Sequence, residues 1–165
     1  MEDGAVVVPL ALLEGRHLLA LIEEFRLIIE SADDDDRDLT RRLVPDAYPD
    51  DSEASAEFGA LTHGDLFERR LSDGAAVRQD LVASGFDDEN PDEDPLGPRR
   101  LAIPAERLDA WMRTLTAMRL MMASRLGIGQ QDAHDPEDPR FGVYDWLGYR
   151  LDGLIQLADE FDEQA

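Results

Sequence analysis

Hydrophobic positions along the chain recur mostly at helical spacing and predict amphipathic helices separated by polar, proline-rich connections. A long helix is predicted between Pro9 and Ser31, a second between Pro104 and Gly127, and a last one over about 141–161. Each prediction rests on apolar residues that recur every three or four positions and therefore share one helix face. The three faces comprise Leu18, Leu21, Ile22, Phe25, Ile28 and Ile29, then Leu108, Trp111, Met112, Leu115, Met118, Met122 and Leu126, then Val143, Tyr144, Leu147, Leu151, Leu154, Ala158 and Phe161.

The middle of the chain predicts shorter helical pieces. One short helix is expected over 39–44, and a second follows the proline-bracketed loop 45–51. A further helical stretch is expected to open near 62–63. Gly74 leaves open whether this stretch is continuous or broken in two, because glycine weakens a helix without forbidding it.

Two short β-branched segments precede the first and second long helices. Residues 5–8 and 101–103 are each followed by a proline, and the first strand is expected to end at Pro9. The two strands are predicted to pair as a small sheet, which needs helices packed against it for stability. The acidic stretch of about 85–98 is expected to be a flexible connection. The predicted fold is mainly α, a single-domain helical bundle over 1–165 with a two-stranded β element.

One charged residue falls inside an apolar face. Arg119 lies on the same side of its helix as Leu115 and Met118, so its guanidinium must reach a carboxylate, several carbonyl oxygens or the protein surface. Gly127 is a suitable residue to end this helix, with Arg125 in the last turn. The structural interpretation of Arg119 is that it forms an internal ion pair or that its side chain reaches the protein surface. The functional one is an anion grip formed by Arg119 and Arg125.

The charge of the chain restricts its partners. The formal net charge is −22 with an isoelectric point near 4.2, and all 16 basic residues are arginine. Direct nucleic-acid binding and anionic membrane surfaces are disfavoured, because both need clustered basic residues. No apolar run approaches a membrane span, and the acidic start Met1-Glu2-Asp3 differs from a basic signal peptide. We therefore expect a cytoplasmic protein.

No reaction centre is recognisable in the sequence. The absence of cysteine excludes disulfides and thiolate chemistry. The alternating Asp and Asn residues at 88–94 resemble the start of a calcium loop, but Glu93 stands where glycine is needed and Arg99 where the bidentate glutamate is needed. The cluster at 132–138 has no helical ligand pair, and no serine or glycine-rich motif supports catalysis or phosphate binding. We expect no enzyme activity, no metal and no cofactor.

Aromatic and arginine side chains on helix surfaces are the remaining candidates. Trp146 and Tyr149 lie outside the apolar face of the last helix, although Trp146 has burial beneath the preceding loop as its alternative. Tryptophan, tyrosine and arginine are the residues that dominate protein interfaces. The candidate partner or ligand contacts are Tyr48, Trp111, Arg119, Arg125, Tyr144, Trp146 and Tyr149.

Three segments together resemble one family. They are Pro-Asp-Ala-Tyr-Pro-Asp-Asp at 45–51 leading into Ala-Glu-Phe at 56–58, Trp-Met-Arg at 111–113 continuing to Arg-Leu-Gly-Ile at 125–128, and Tyr-Asp-Trp-Leu-Gly at 144–148. The chain resembles the actinobacterial AosR-like oxidative stress regulators, also described as a domain of unknown function. The resemblance implies a small cytoplasmic helical protein that contacts a sigma factor. The family's cysteine pair is missing, so its sensing mechanism does not carry over. Oxidation of one of the methionines at 112, 118, 121 or 122 would be a substitute for cysteine-based sensing, although core packing is the commoner role of such methionines.

Three hypotheses follow. The leading one is a non-enzymatic regulatory or adaptor protein that docks on a basic protein surface, with a sigma factor as the implied partner. The alternative is a module or enzyme that binds a small anionic ligand through Arg119 and Arg125. The third is salt adaptation, which explains the acidity alone. The sequence leaves self-association into a homo-oligomer open.

Overall fold

The computed structural model describes residues 4–31, 52–88, 92–128, 134–135 and 137–162, with side chains described from 65 onward in the second range and up to 160 in the last. The predicted short helix over 39–44 and the loop that holds Tyr48 lie outside these ranges. The described elements, in chain order, are strand β1 (Ala5–Ala11), helices α1 (Leu12–Glu30) and α2 (Ser52–Ala83), strand β2 (Pro98–Pro104), and helices α3 (Leu108–Leu126) and α4 (Gly142–Asp162). The predicted fold class, mainly α with a small β element, is confirmed.

The two strands form an antiparallel pair, as predicted. Val6 lies opposite Ile103 and Val8 opposite Leu101, and the alternate side chains of both strands enter the core. The expectation that β1 ends at Pro9 is wrong, because Pro9 continues the ladder opposite Arg100. A two-stranded sheet tolerates proline, since each strand has one edge where no hydrogen bond is needed.

Helix α3 lies at the centre of the bundle. It packs against α2 and α4 and also contacts α1. Trp111, Leu115 and Met118 are buried as predicted, but Met121 is buried where the sequence favoured Met122. A helix with neighbours on several sides buries more of its circumference than a single amphipathic face, and this widens the apolar surface beyond the predicted stripe. At its end, Gly127 has a left-handed φ of 69°, which confirms its predicted capping role.

Helix α1 packs closely on the connection that follows α2. Gly15 faces the ring of Phe86, and a Cβ atom at Gly15 would overlap that ring. Phe86 belongs to the acidic stretch of about 85–98, yet its side chain is fully buried in the core. The backbone N–H groups of Leu12 and Leu13 donate to Gly97 and Pro95 at 3.1 and 2.8 Å. The described parts of this connection are therefore joined to the start of α1.

Helix α2 is one continuous element, so the expectation that a separate helix opens near 62–63 is wrong, and the stretch at Gly74, for which the sequence leaves both possibilities open, is unbroken. A single glycine costs a helix only about 1 kcal/mol, which packing against α1 and α3 outweighs. A Cβ atom at Gly74 would make only an ordinary van der Waals contact, 3.6 Å from the Arg26 side chain of α1, so packing does not require glycine here.

Helix α4 matches its predicted range closely. Tyr144, Leu147 and Leu154 are buried on its inner side. Val143, which the sequence placed on the same face, is 45% exposed instead. Among the described helices, none has the length and apolar character needed to cross a membrane.

Candidate functional site

A groove of about 450 Å³ opens between α1 and α4. Both helices pack against α3, but their backbones make few close approaches to each other, so the surface between them stays open. The residues that line the groove are Glu14, His17, Ala20, Leu21 and Glu24 of α1, and Gly142, Val143 and Trp146 of α4. The groove therefore combines aliphatic and aromatic walls with two carboxylates.

Glu14 closes one end of the groove by joining three parts of the chain. Its carboxylate accepts hydrogen bonds from the backbone N–H of Ala11 at 3.0 Å, from Trp146 Nε1 at 2.7 Å and from Arg150 Nη2 at 2.7 Å. Burial on its own would raise the pKa of Glu14, but the hydrogen bonds from Arg150, Ala11 and Trp146 outweigh it and lower the pKa below its ordinary value. Glu14 is therefore ionised at neutral pH and holds α4 against the start of α1.

Trp146 is fixed where it lines the groove. Its ring is half-buried, its N–H is used by Glu14, and the Arg150 guanidinium lies 5.7 Å from the ring centre. Arg150 also lies 5.4 Å from the ring of Tyr149, which is 69% exposed. The interface candidates Trp146 and Tyr149 thus share the Arg150 guanidinium, but only Trp146, with its indole held in one orientation, lines the groove.

A second group of one carboxylate, one tryptophan and one arginine lies inside the core. Asp80 is only 5% exposed and accepts from Arg107 Nη1 at 2.5 Å and from Trp111 Nε1 at 3.0 Å. In both groups the tryptophan and the arginine are four residues apart on their segment, so a single carboxylate can reach both. Trp111 is 2% exposed and is therefore not accessible to a partner in this structure.

The two arginines that the sequence singled out do not meet. Arg119 lies between α3 and α4 with its guanidinium carbon 4.2 Å from the ring centre of the buried Tyr144. It also lies beside Gly148, where a Cβ atom would be 3.1 Å from Arg119 Nε. Arg125 Nη1 instead donates to Glu24 at 2.6 Å on the surface. Neither arginine lines the described groove, although Arg125 holds one of the carboxylates that do.

Sequence reasoning missed most of the groove. Its α1 wall includes His17, Ala20 and Leu21, and none of these was a candidate. A signal was present, because Leu13, Ala20 and Leu27 recur every seven residues on the outer side of α1, opposite the apolar face used to predict that helix.

His134 is placed just before α4. Its Nε2 lies 2.8 Å from Asp145 Oδ1, and its ring packs 4.4 Å from that of Phe141. Within the described part of the chain, no group of three acidic or histidine side chains is arranged to hold a metal ion. The contact between His134 and Asp145 joins the segment before α4 to the first turn of that helix.

Comparison with known proteins gives one result. No curated protein and no solved structure matches the chain. A family model described as "Domain of unknown function (DUF2017)" matches residues 1–158, which is nearly the whole chain. The chain therefore belongs to the DUF2017 family.

Proposed function

We propose that this protein is a non-enzymatic regulatory or adaptor protein that acts by binding a partner protein with a basic surface. The observation that carries the proposal is the open, largely apolar groove between α1 and α4 in a chain of net charge −22. Concave apolar surfaces with a few polar groups are typical of binding sites.

The residues around the groove support protein binding. Trp146 is a rigid aromatic residue, and Val143 keeps a large exposed apolar surface beside it. Leu13 and Leu27 are exposed along the same side of α1. Aromatic anchors surrounded by apolar side chains supply most of the binding energy in protein interfaces. The acidic field would speed the approach of a basic partner and make binding sensitive to salt.

The finer proposal concerns the process in which the protein acts. The resemblance to AosR-like regulators implies transcriptional control under oxidative stress in the cytoplasm, through a sigma-factor partner. The family's cysteine pair is absent here, so a response to oxidants would have to come from the partner or from methionines. Met118 and Met121 are buried in the core, which favours packing as their role.

The alternative, an anionic ligand held by Arg119 and Arg125, receives less support. Arg125 is paired with Glu24, and Arg119 lies over Tyr144 at a separate place between the helices. A shared ligand would need both side chains to leave these positions.

Affinity capture tests the proposal. The tagged protein would be incubated with an extract of its source cells at about 0.05 M salt, beside a polyglutamate resin as the control for nonspecific acidity. We expect a protein that only the tagged chain retains, that elutes as salt rises, and that binds one-to-one when both are purified. Retention of the same basic proteins by both resins would contradict the proposal.

A further inference from the structure

We infer that the groove between α1 and α4 is the docking site for a basic amphipathic helix of the partner, an inference that rests on the proposed function of protein binding. The groove has two walls of different kinds. One is a straight line of exposed residues along α1, in which apolar side chains alternate with His17 and Glu24, and the other is the fixed indole of Trp146 on α4. Helices that dock in grooves insert side chains spaced three, four and seven residues apart, and both walls fit that spacing.

The α1 wall has the length and spacing of a helix-binding surface. The outward positions of α1 are Leu13, His17, Ala20, Glu24 and Leu27, which follow one another at alternating steps of four and three. The middle three line the groove, and Leu13 and Leu27 extend the same line beyond its two ends. Such positions form a nearly straight line, and the stripe from Leu13 to Leu27 is about 21 Å long at the helical rise per residue. Ala20 stands at its centre, where a small side chain allows a second backbone to approach. A rounded small molecule would cover only part of this line.

The α4 wall provides a preformed anchor. The indole of Trp146 is oriented by its hydrogen bond to Glu14, and Val143 lies one turn earlier on the same side of the groove. Because the ring is already held, little conformational freedom is lost when an apolar side chain packs against it. Val143 is 45% exposed, so its uncovered surface is available for burial by the docking helix.

The negative charge of the chain as a whole favours a cationic occupant. The charged residues of α1 are Glu14, Glu23, Glu24 and Glu30 against Arg16 and Arg26, and those among the described side chains of α4 are Asp145, Asp152, Asp159 and Glu160 against Arg150. Both helices are therefore negative overall, and the two carboxylates that line the groove, Glu14 and Glu24, are paired with Arg150 and Arg125. A second copy of the chain would bring another net charge of −22 to the same surface, and like charges at close range disfavour it. A helix with lysine or arginine beside its apolar stripe complements both features.

A designed peptide tests the inference. The probe is a fluorescently labelled helical peptide of about 16 residues, with leucines at the first, fourth and fifth positions of each heptad and lysines between them. Its binding to the full chain is followed by fluorescence anisotropy. Val143→Gln perturbs the groove, and Ile155→Gln is the matched control, because Ile155 is 41% exposed on the same helix but does not line the groove. Circular dichroism confirms that both variants keep their helices.

We expect V143Q to weaken peptide binding about fivefold or more, because a partly exposed valine loses its burial against the peptide. I155Q should change binding less than about twofold. A peptide of the same composition with scrambled order should bind more weakly, as should one with glutamine in place of lysine. Equal effects of the two variants, or no preference for the ordered peptide, would overturn the inference.

Sedimentation separates the competing occupant. A dimer of the wild-type chain that V143Q dissociates would assign the groove to a second copy and would also overturn the inference. The proposed function would survive a failed peptide test or a dimer at the groove if the affinity capture finds a specific basic partner whose binding is unaffected by V143Q. The proposed function would fail alone if the peptide binds as expected and no specific protein is captured.

Discussion

The buried carboxylate of Asp80 provides the sharpest test of how the core is held together. Asp80 belongs to α2, accepts a hydrogen bond from Trp111 of α3, and pairs with Arg107 in the turn before α3. Substitution Asp80→Ala removes the acceptor for both groups. Asp80→Asn keeps an oxygen for the indole N–H but removes the charge that attracts the guanidinium.

The expected loss can be estimated from exposure. The Trp111 N–H is buried and, without its acceptor, costs about 1–3 kcal/mol in unfolding free energy. The Arg107 side chain is 32% exposed, so it can regain water and contributes less than the 3–5 kcal/mol roughly expected of a fully buried pair. We expect D80A to lower the unfolding free energy by about 3 kcal/mol and D80N by about half of that.

Urea unfolding followed by circular dichroism measures these changes. Removing any acidic residue from so negative a chain also relieves repulsion, and Asp152→Ala, on the exposed side of α4, isolates this effect. D152A should change stability by no more than about 0.5 kcal/mol. In a double-mutant cycle, D80A and Arg107→Ala should fall short of additivity by about 1 kcal/mol or more, because each removes the same contact. Equal stabilities of D80A and D152A would refute the reasoning.

Three further predictions concern α4, Glu14 and the overall charge. Gly148→Ala should lower the unfolding free energy by about 1 kcal/mol, because its Cβ crowds Arg119. Gly153→Ala, with open space around its Cβ, should raise the unfolding free energy by about 0.5–1 kcal/mol. Urea midpoints of the two variants that move in the same direction would disprove this. Hydrogen bonds from Arg150 and other donors depress the pKa of Glu14. The stabilising effect of the Glu14 carboxylate is therefore complete above the ordinary pKa of 4.5 and is lost as pH falls through the lowered pKa. Glu14→Gln should be less stable than wild type at neutral pH, and the difference should shrink in acid. The urea midpoint of the wild-type chain should rise between about 0.05 and 0.5 M sodium chloride as repulsion is screened, and a constant midpoint would count against that effect.

The parts of the fold that the sequence predicted are those governed by local chemistry. Helices α1, α3 and α4 were located from apolar spacing, and the end of α3 from the single glycine that can adopt a left-handed turn. Pairing of the strands followed from two similar segments placed before long helices. The helix signals act within a few residues and survive folding unchanged, whereas the strand pairing joins segments that are far apart in the chain.

The parts that could not be predicted depend on contacts between elements. Weak local breaks near 62–63 and Gly74 are overridden because α2 packs along α1 and α3. Val143 carries the periodicity of a buried residue but faces the gap where α1 and α4 separate. The groove is a consequence of that separation, which neither helix encodes alone. Only the seven-residue recurrence from Leu13 to Leu27 indicated a second apolar side.

The two tryptophans can report by their fluorescence on two different parts of the molecule. Both indoles donate to a carboxylate, but Trp111 is sealed in the core whereas Trp146 borders an open surface. Emission from the first should therefore follow unfolding, and emission from the second should respond when something covers that surface. Replacing either ring with phenylalanine would leave a chain with one tryptophan, whose emission can be excited selectively over that of the three tyrosines, so that folding and association could be recorded separately without attaching a dye.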